Sequence, residues 1–273
     1  MSDFHQALNA ARKCVSGVFP LRVLARGGEE GVFLSTGLGQ LDELLEGGGL
    51  PVGRISEFYG PASAGKTSLV GKIMAGVTSR GGCVAYVDCF NALAPEFLER
   101  AGVDLENVLW VRGPGSDPDD PDGPGADGED GGAWGRGIHG LKRAVRQAEI
   151  LIQSGNFTLV VLDVADQDPA RAAAAASLPG TAWFRLQRAA EKSQGVLILL
   201  SGRSLASGAS ARAFSLAGGR RLWGKGRLPL AEAAFPFPVE GREKSVLLLG
   251  MEGSAAVTKG GRNGRSVIFH CHL

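Results

Sequence analysis

The octapeptide GPASAGKT at residues 60–67 restricts the possible folds of this chain more than any other segment. It fits the pattern G-x-x-x-x-G-K-[ST] in full, in which backbone N–H groups and a lysine surround phosphate oxygens. The strand-like sequence RISEFYG runs into it, and the apolar-periodic sequence TSLVGKIMAGV follows. A strand, a glycine-rich loop and a helix in this order predict phosphate binding at the helix N-terminus, rather than a glycine-rich turn that only packs.

Residues 60–67, the phosphate loop, supply most of a candidate nucleotide site. Its glycines permit successive N–H groups to curl around phosphate oxygens, Lys66 would contact the outer phosphates, and Thr67 would offer a hydroxyl to Mg²⁺. The apolar run TLVVLD ends in Asp163, which we expect to hold Mg²⁺ through water. The alternative is a surface Asp163 that caps the next helix. The predicted nucleotide contacts in this region are Gly60, Ser63, Ala64, Gly65, Lys66, Thr67 and Ser68.

Short apolar runs alternate with helical patterns along the rest of the chain. Strand-like runs occupy residues 83–88, 108–111, 158–163 and 195–201, and helical patterns occupy 95–102, 138–154 and 183–193. Strands that are apolar on both faces and alternate with helices predict an α/β fold with a mostly parallel central sheet flanked by helices. The sequences SVLLLGM and RSVIFHCHL are predicted to pair as an antiparallel C-terminal hairpin.

Charge is distributed unevenly, although 29 basic and 28 acidic residues leave a net charge of +1. Residues 114–132 contain seven acidic residues and no basic one, and we expect a disordered surface insertion there. An acidic segment that binds a partner or mimics DNA is the alternative. Residues 202–273 contain 11 Lys and Arg against 4 Asp and Glu, which indicates either a contact surface or a solvated basic face. The chain lacks a long apolar run, so we expect a cytoplasmic protein with no membrane contact.

Three segments together resemble the RecA family: residues 35–67, VAYVDCFNALAPEFLERAGVDLENVLWV at 84–111, and SGNFTLVVLDVAD at 154–166. The resemblance implies a RecA-type core with ATP and Mg²⁺ as ligands. It further implies that Phe97 stacks on the nucleotide base. We divide the chain into an N-terminal helix and linker at 1–34 and a single core domain at 35–273.

Departures from the family pattern fall on the residues that support hydrolysis. The family places a catalytic Glu where this chain has Phe90, and a further acid where it has Ala94. A Gln that senses the outermost phosphate is replaced at Ser201 and Gly202. Asp88 could in principle act as the base instead. We predict ATP binding with slow or absent hydrolysis.

The segments that correspond to the family's DNA-binding loops are altered as well. The first is the alanine-rich residues 166–180, and the second is residues 202–219, whose charged residues are Arg203 and Arg212. The second segment is predicted to stay flexible. With few basic side chains in either segment, single-stranded DNA binding should be weak and salt-sensitive.

A RecA-like core with a degenerate catalytic site is similar to the ImuA group of bacterial SOS-response proteins. That resemblance implies an accessory role in translesion DNA synthesis and mutagenesis. The implied partners are an ImuB-like Y-family protein, an error-prone polymerase and RecA itself, with nucleoid association as a further expectation. Two alternatives stay open: a DNA-dependent ATPase of recombinase type, and a cell-division inhibitor of the SulA type.

Overall fold

A computed structural model describes residues 25–28, 31–112, 138–166, 169–225, 246–261 and 264–272. The acidic insertion at 114–132 and the predicted N-terminal helix, FHQALNAARK, lie outside the described residues. The strands are β1 Ala25–Gly28, β2 Gly31–Leu34, β3 Leu50–Pro51, β4 Ile55–Tyr59, β5 Val84–Asp88, β6 Val108–Arg112, β7 Leu159–Asp163, β8 Val196–Ser201, β9 Ser210–Lys225, β10 Val246–Lys259 and β11 Ser266–His272. The helices are α1 Gly39–Leu44, α2 Lys66–Thr78, α3 Pro95–Arg100, α4 Ile138–Gln153, α5 Pro169–Ala176 and α6 Gly180–Ser193.

The main sheet of the described residues has the strand order β11-β10-β9-β4-β8-β7-β5-β6. All neighbours from β9 to β6 pair in parallel. At the other edge, β10 pairs antiparallel with both β9 and β11. The predicted mostly parallel sheet and its C-terminal antiparallel hairpin are therefore confirmed, and the fold is a RecA-type α/β core.

Apolar side chains cover both faces of this sheet. In β5, Val84 and Tyr86 belong to one buried cluster with α2, while Ala85 and Val87 belong to a second cluster with α4 and α6. The alternation follows from the two-residue period of a strand. Because the strands are parallel, the carboxyl ends of β4, β5, β7 and β8 lie along one edge of the sheet, where ligands bind in open α/β folds.

A smaller sheet precedes the main one. Strand β2 pairs antiparallel with β1 and with β3, so that Phe33 faces Pro51 and Leu34 faces Leu50. Leu34 is fully buried in the cluster that includes α2. The predicted division of the chain at residue 34 stays a prediction, and in the structure residues on its two sides pack together.

The two segments that correspond to the family's DNA-binding loops contain regular secondary structure. Within residues 166–180, Pro169–Ala176 forms the helix α5, as an alanine-rich sequence favours. The prediction that residues 202–219 stay flexible is wrong from Ser210 onward, because these residues begin strand β9 and pair with both β4 and β10. No helix in the described part of the chain has both the length and the apolar character of a membrane span.

Candidate functional site

The phosphate loop lies where the pattern predicts, between the end of β4 and the start of α2. Gly65 is the residue before the helix, and its φ of 84° lies in the left-handed region that favours glycine. No side chain caps α2 at this end. The first N–H groups of a helix have no partner within it and attract anions. The local geometry therefore fits phosphate binding.

The loop also lies directly against strand β9. A Cβ atom at Gly60 would come within 2.2 Å of the carbonyl oxygen of Leu216, and one at Gly218 would come within 3.4 Å of the carbonyl oxygen of Ser63. Glycine at position 60 is thus required by backbone packing as well as by the phosphate pattern. Sequence reasoning missed this requirement because Leu216 is remote in the chain.

Lys66 reaches back across the phosphate loop. Its Nζ donates hydrogen bonds to the carbonyl oxygens of Gly60 and Pro61, both at 2.7 Å. The side chain is buried, and burial lowers the pKa of its amine, while nearby Asp163 acts in the opposite direction. The structure therefore brings Lys66 and Asp163 together, as the candidate site requires.

Asp163 is buried at the end of β7 rather than exposed on the surface. Its Oδ1 accepts a hydrogen bond from the backbone N–H of Ala165 at 2.9 Å, and its Oδ2 accepts one from the Tyr86 hydroxyl at 2.6 Å. Burial raises the pKa of this carboxyl to about 6, although both hydrogen bonds and Lys66 oppose the rise. Tyr86 was not predicted as a site residue, and its signal was a single hydroxyl within an otherwise apolar strand.

The available oxygen ligands suit Mg²⁺ bound together with a nucleotide. Asp163 offers a buried carboxylate, and the hydroxyl of partly exposed Thr67 has no hydrogen-bond partner among the described residues. The same residues hold no cluster of three or more His, Cys, Asp and Glu side chains that could bind a metal by themselves. Mg²⁺ commonly takes one or two protein ligands and completes its shell with phosphates and water. Asp163 and Thr67 fit this pattern.

Asp88 is also buried, but its surroundings differ from those of Asp163. Its Oδ1 accepts hydrogen bonds from the backbone N–H groups of Phe90 and Ala92, at 3.3 and 3.1 Å, and its Oδ2 accepts one from Leu93 at 2.9 Å. Asp88 as a whole residue is 1% exposed. Asp88 therefore fixes the conformation of the loop that follows β5, and its oxygens do not face solvent where a water could be activated.

The two positions of the missing acids differ in their surroundings. Phe90 packs against the buried cluster beneath α4 and α6. Ala94 is exposed and precedes α3. On α3, Phe97 is partly buried, and its Cε1 would lie 3.7 Å from a Cβ atom at Gly71 of α2. The assignment of Phe97 to a nucleotide base stays a prediction.

Residues 21–120 match the family model described as the RecA N-terminal domain. The chain carries a RecA-like domain. Protein RecA of Streptomyces venezuelae is 34% identical to it over 166 residues, which cover 59% of this chain and 37% of that protein. Protein RecA of Acinetobacter baylyi is 34% identical over 162 residues, covering 58% of this chain and 39% of its own length.

The RecA-like region is only part of each relative. For Protein RecA of Clostridium acetobutylicum as well, at 32% identity over 162 residues, the match covers 39% of its length. The chain thus spans less than two fifths of these curated relatives. The similarity supports a RecA fold.

Proposed function

We propose that this chain is a RecA-like ATP-binding accessory protein that uses Mg²⁺-ATP as a structural ligand and hydrolyses it slowly or not at all. We propose further that it acts through protein contacts in SOS-induced translesion DNA synthesis and mutagenesis. Its proposed location is the bacterial cytoplasm. The RecA-like domain, the phosphate loop and buried Asp163 support the nucleotide part of this proposal.

The observation that carries the proposal is the contrast between binding and catalytic groups. Lys66, Thr67 and Asp163 fit a nucleotide with its metal, whereas the segment directly after β5, where a water-activating carboxylate is expected, has Phe90, which packs in an apolar cluster. The other acid nearby, Asp88, binds three backbone N–H groups. Without a group that orients or deprotonates water, hydrolysis is expected to lose several orders of magnitude in rate.

The experiment compares binding and turnover on the same preparations. Wild type and Lys66→Ala are tested for thermal stabilisation by Mg²⁺-ATP and for phosphate release, each with and without single-stranded DNA. A ligand that binds only the folded state raises its stability, so wild type should gain stability and Lys66→Ala should not. Lys192→Ala, at an exposed lysine in the last turn of α6, is the matched control. Strong DNA-stimulated turnover by the wild type would contradict the proposal.

The same measurements separate the other candidate functions. A DNA-dependent ATPase of recombinase type is favoured by the name of the relatives, Protein RecA, and requires rapid turnover on DNA. A SulA-type inhibitor whose loop has lost its ligand requires no stabilisation by any nucleotide. Under the accessory role, purified wild type should bind an ImuB-like Y-family protein, an error-prone polymerase or RecA. If the wild type binds none of these three, the translesion part of the proposal is wrong, and the proposal of nucleotide binding is unaffected.

A further inference from the structure

A cavity of about 430 Å³ opens beside the phosphate loop, at the carboxyl edge of the main sheet. Its wall includes Pro61 and Ala62 of the loop, Val164 and Asp166 after β7, and Arg203 and Leu205 after β8. Most of this surface is apolar, and Arg203 is the cationic residue that lines it. The phosphate loop and Arg203 therefore face one common space.

The backbone that carries Arg203 is held firmly on both sides. The Ser201 hydroxyl donates to the carbonyl oxygen of Arg203 at 2.8 Å. Fully buried Glu57 of β4 accepts hydrogen bonds from the Ser204 hydroxyl at 2.9 Å and from the N–H groups of Leu205 and Ala206 at 2.5 and 3.1 Å. These bonds attach the segment after β8 to the strand that leads into the phosphate loop.

The side chain of Arg203, unlike its backbone, is not held in place by other described residues. Arg203 is exposed, and among the described residues its guanidinium makes no ion pair or hydrogen bond. A guanidinium binds phosphate oxygens with paired N–H donors, which makes arginine well suited to reading a terminal phosphate. A fixed backbone that carries a guanidinium with no partner among the described residues is the arrangement expected of a ligand contact.

Lys66 indicates which end of a nucleotide points into the cavity. The lysine of a phosphate loop contacts the outer phosphates, and here its Nζ lies 2.7 Å from the carbonyl oxygen of Pro61, a residue of the cavity wall. Acidic Asp166 lines the same cavity, which disfavours capture of a free anion and favours a phosphate already held by the loop. The outermost phosphate would thus lie between Lys66 and Arg203.

We propose that Arg203 contacts the outermost phosphate of a bound nucleoside triphosphate, so that the chain distinguishes a triphosphate from a diphosphate. This inference rests on the proposed nucleotide binding. Because a diphosphate lacks the group that Arg203 contacts, removal of the arginine weakens binding of the triphosphate selectively.

The test measures affinities for ADP and for a non-hydrolysable ATP analogue with Mg²⁺ by calorimetry. Arg203→Ala should weaken binding of the analogue about 10-fold or more while the affinity for ADP stays within twofold. Arg203→Lys should retain part of the preference because it keeps the charge without the paired donors. Arg188→Ala, at an exposed arginine of α6 that does not line the cavity, should change neither affinity.

The inference is overturned if Arg203→Ala leaves the ratio of the two affinities unchanged. It is equally overturned if the variant loses only single-stranded DNA binding, which would make Arg203 a DNA contact. These results differ from failure of the proposed function, in which the wild type binds neither ADP nor the analogue.

Discussion

Asp88 and Asp163 face each other in register at the ends of the adjacent parallel strands β5 and β7, but their carboxylates accept hydrogen bonds from different groups. Three backbone N–H groups of the following loop bind Asp88. Asp163 instead accepts hydrogen bonds from Ala165 and from the Tyr86 hydroxyl. One of the two neighbouring acids thus fixes the loop after β5, while the other is the proposed metal ligand.

Replacement of Asp88 should affect stability rather than turnover. Asp88→Ala leaves three N–H groups without their acceptor, and we expect it to lower the free energy of unfolding by about 3 kcal/mol in urea titrations. Asp88→Asn keeps one acceptor oxygen and should lose about half as much. Any residual phosphate release per folded molecule should be unchanged in Asp88→Asn. A stable Asp88→Asn protein that has lost all turnover would identify Asp88 as a catalytic base after all.

The raised pKa of Asp163 predicts how stability changes with pH in the metal-free protein. The carboxyl titrates near 6 when folded and near 3.9 when unfolded. Its protonation therefore contributes stability below about pH 4, and this contribution is lost as the pH rises through 6. In Asp163→Asn, which cannot ionise, this decline should be absent, so that above pH 6 the variant equals or exceeds the wild type in free energy of unfolding.

Tyr86→Phe provides an independent check of the same titration. The Tyr86 hydroxyl opposes the rise in the pKa of Asp163, so its removal should shift the decline in stability to higher pH. Tyr59→Phe is the matched control, since its hydroxyl bonds only Thr258 at an exposed site. A decline at the same pH in wild type and Tyr86→Phe would show that Asp163 is not the titrating group.

Two Glu→Gln substitutions should differ in their effect because one glutamate is buried and the other is exposed. Glu57→Gln places an amide NH₂ among N–H and hydroxyl donors, and we expect a loss of about 2 kcal/mol in stability. Trypsin should then cut after Arg203 faster than in the wild type. Glu191→Gln alters a surface ion pair with Arg54 and should cost less than about 1 kcal/mol. Equal digestion rates would contradict the role of Glu57 in holding this segment.

Addition of a methyl group at Gly60 should disturb the phosphate loop. Because its Cβ would come within 2.2 Å of the Leu216 carbonyl oxygen, Gly60→Ala should lower the free energy of unfolding by about 2–3 kcal/mol and weaken stabilisation by Mg²⁺-ATP. Gly180→Ala, at a helix position with open space around its Cβ, should leave both unchanged. A Gly60→Ala protein as stable as wild type would show that β9 can move away from the phosphate loop at this point.

The sequence predicted those features that depend on local pattern. The phosphate loop, the apolar strands ending in Asp88 and Asp163, and the C-terminal hairpin were each readable from short segments. The hydrogen-bond partners of Asp88 could not be predicted from the sequence, because they depend on the conformation of an irregular loop. The Tyr86 bond was not readable either, because it depends on the register between β5 and β7.

Contacts between segments that are remote in the chain could not be predicted from the sequence either. The glycine-rich and serine-rich residues 202–219 have the composition of a flexible loop, but pairing with β4 and β10 makes the part from Ser210 extended. Backbone pairing outweighs weak local propensity in such segments. The approach of Leu216 to Gly60 follows from that pairing and therefore could not be anticipated.

The contact between the phosphate loop and β9 has a consequence for protein engineering. Loop residues 60–67 cannot be exchanged as an independent cassette, because a strand that begins 143 residues later fits against their backbone without room for a side chain at Gly60. A functional transplant of this loop into another scaffold must carry residues 210–219 with it. The phosphate loop and the start of β9 thus form one structural unit from two distant parts of the chain, and substitutions in one part constrain those in the other.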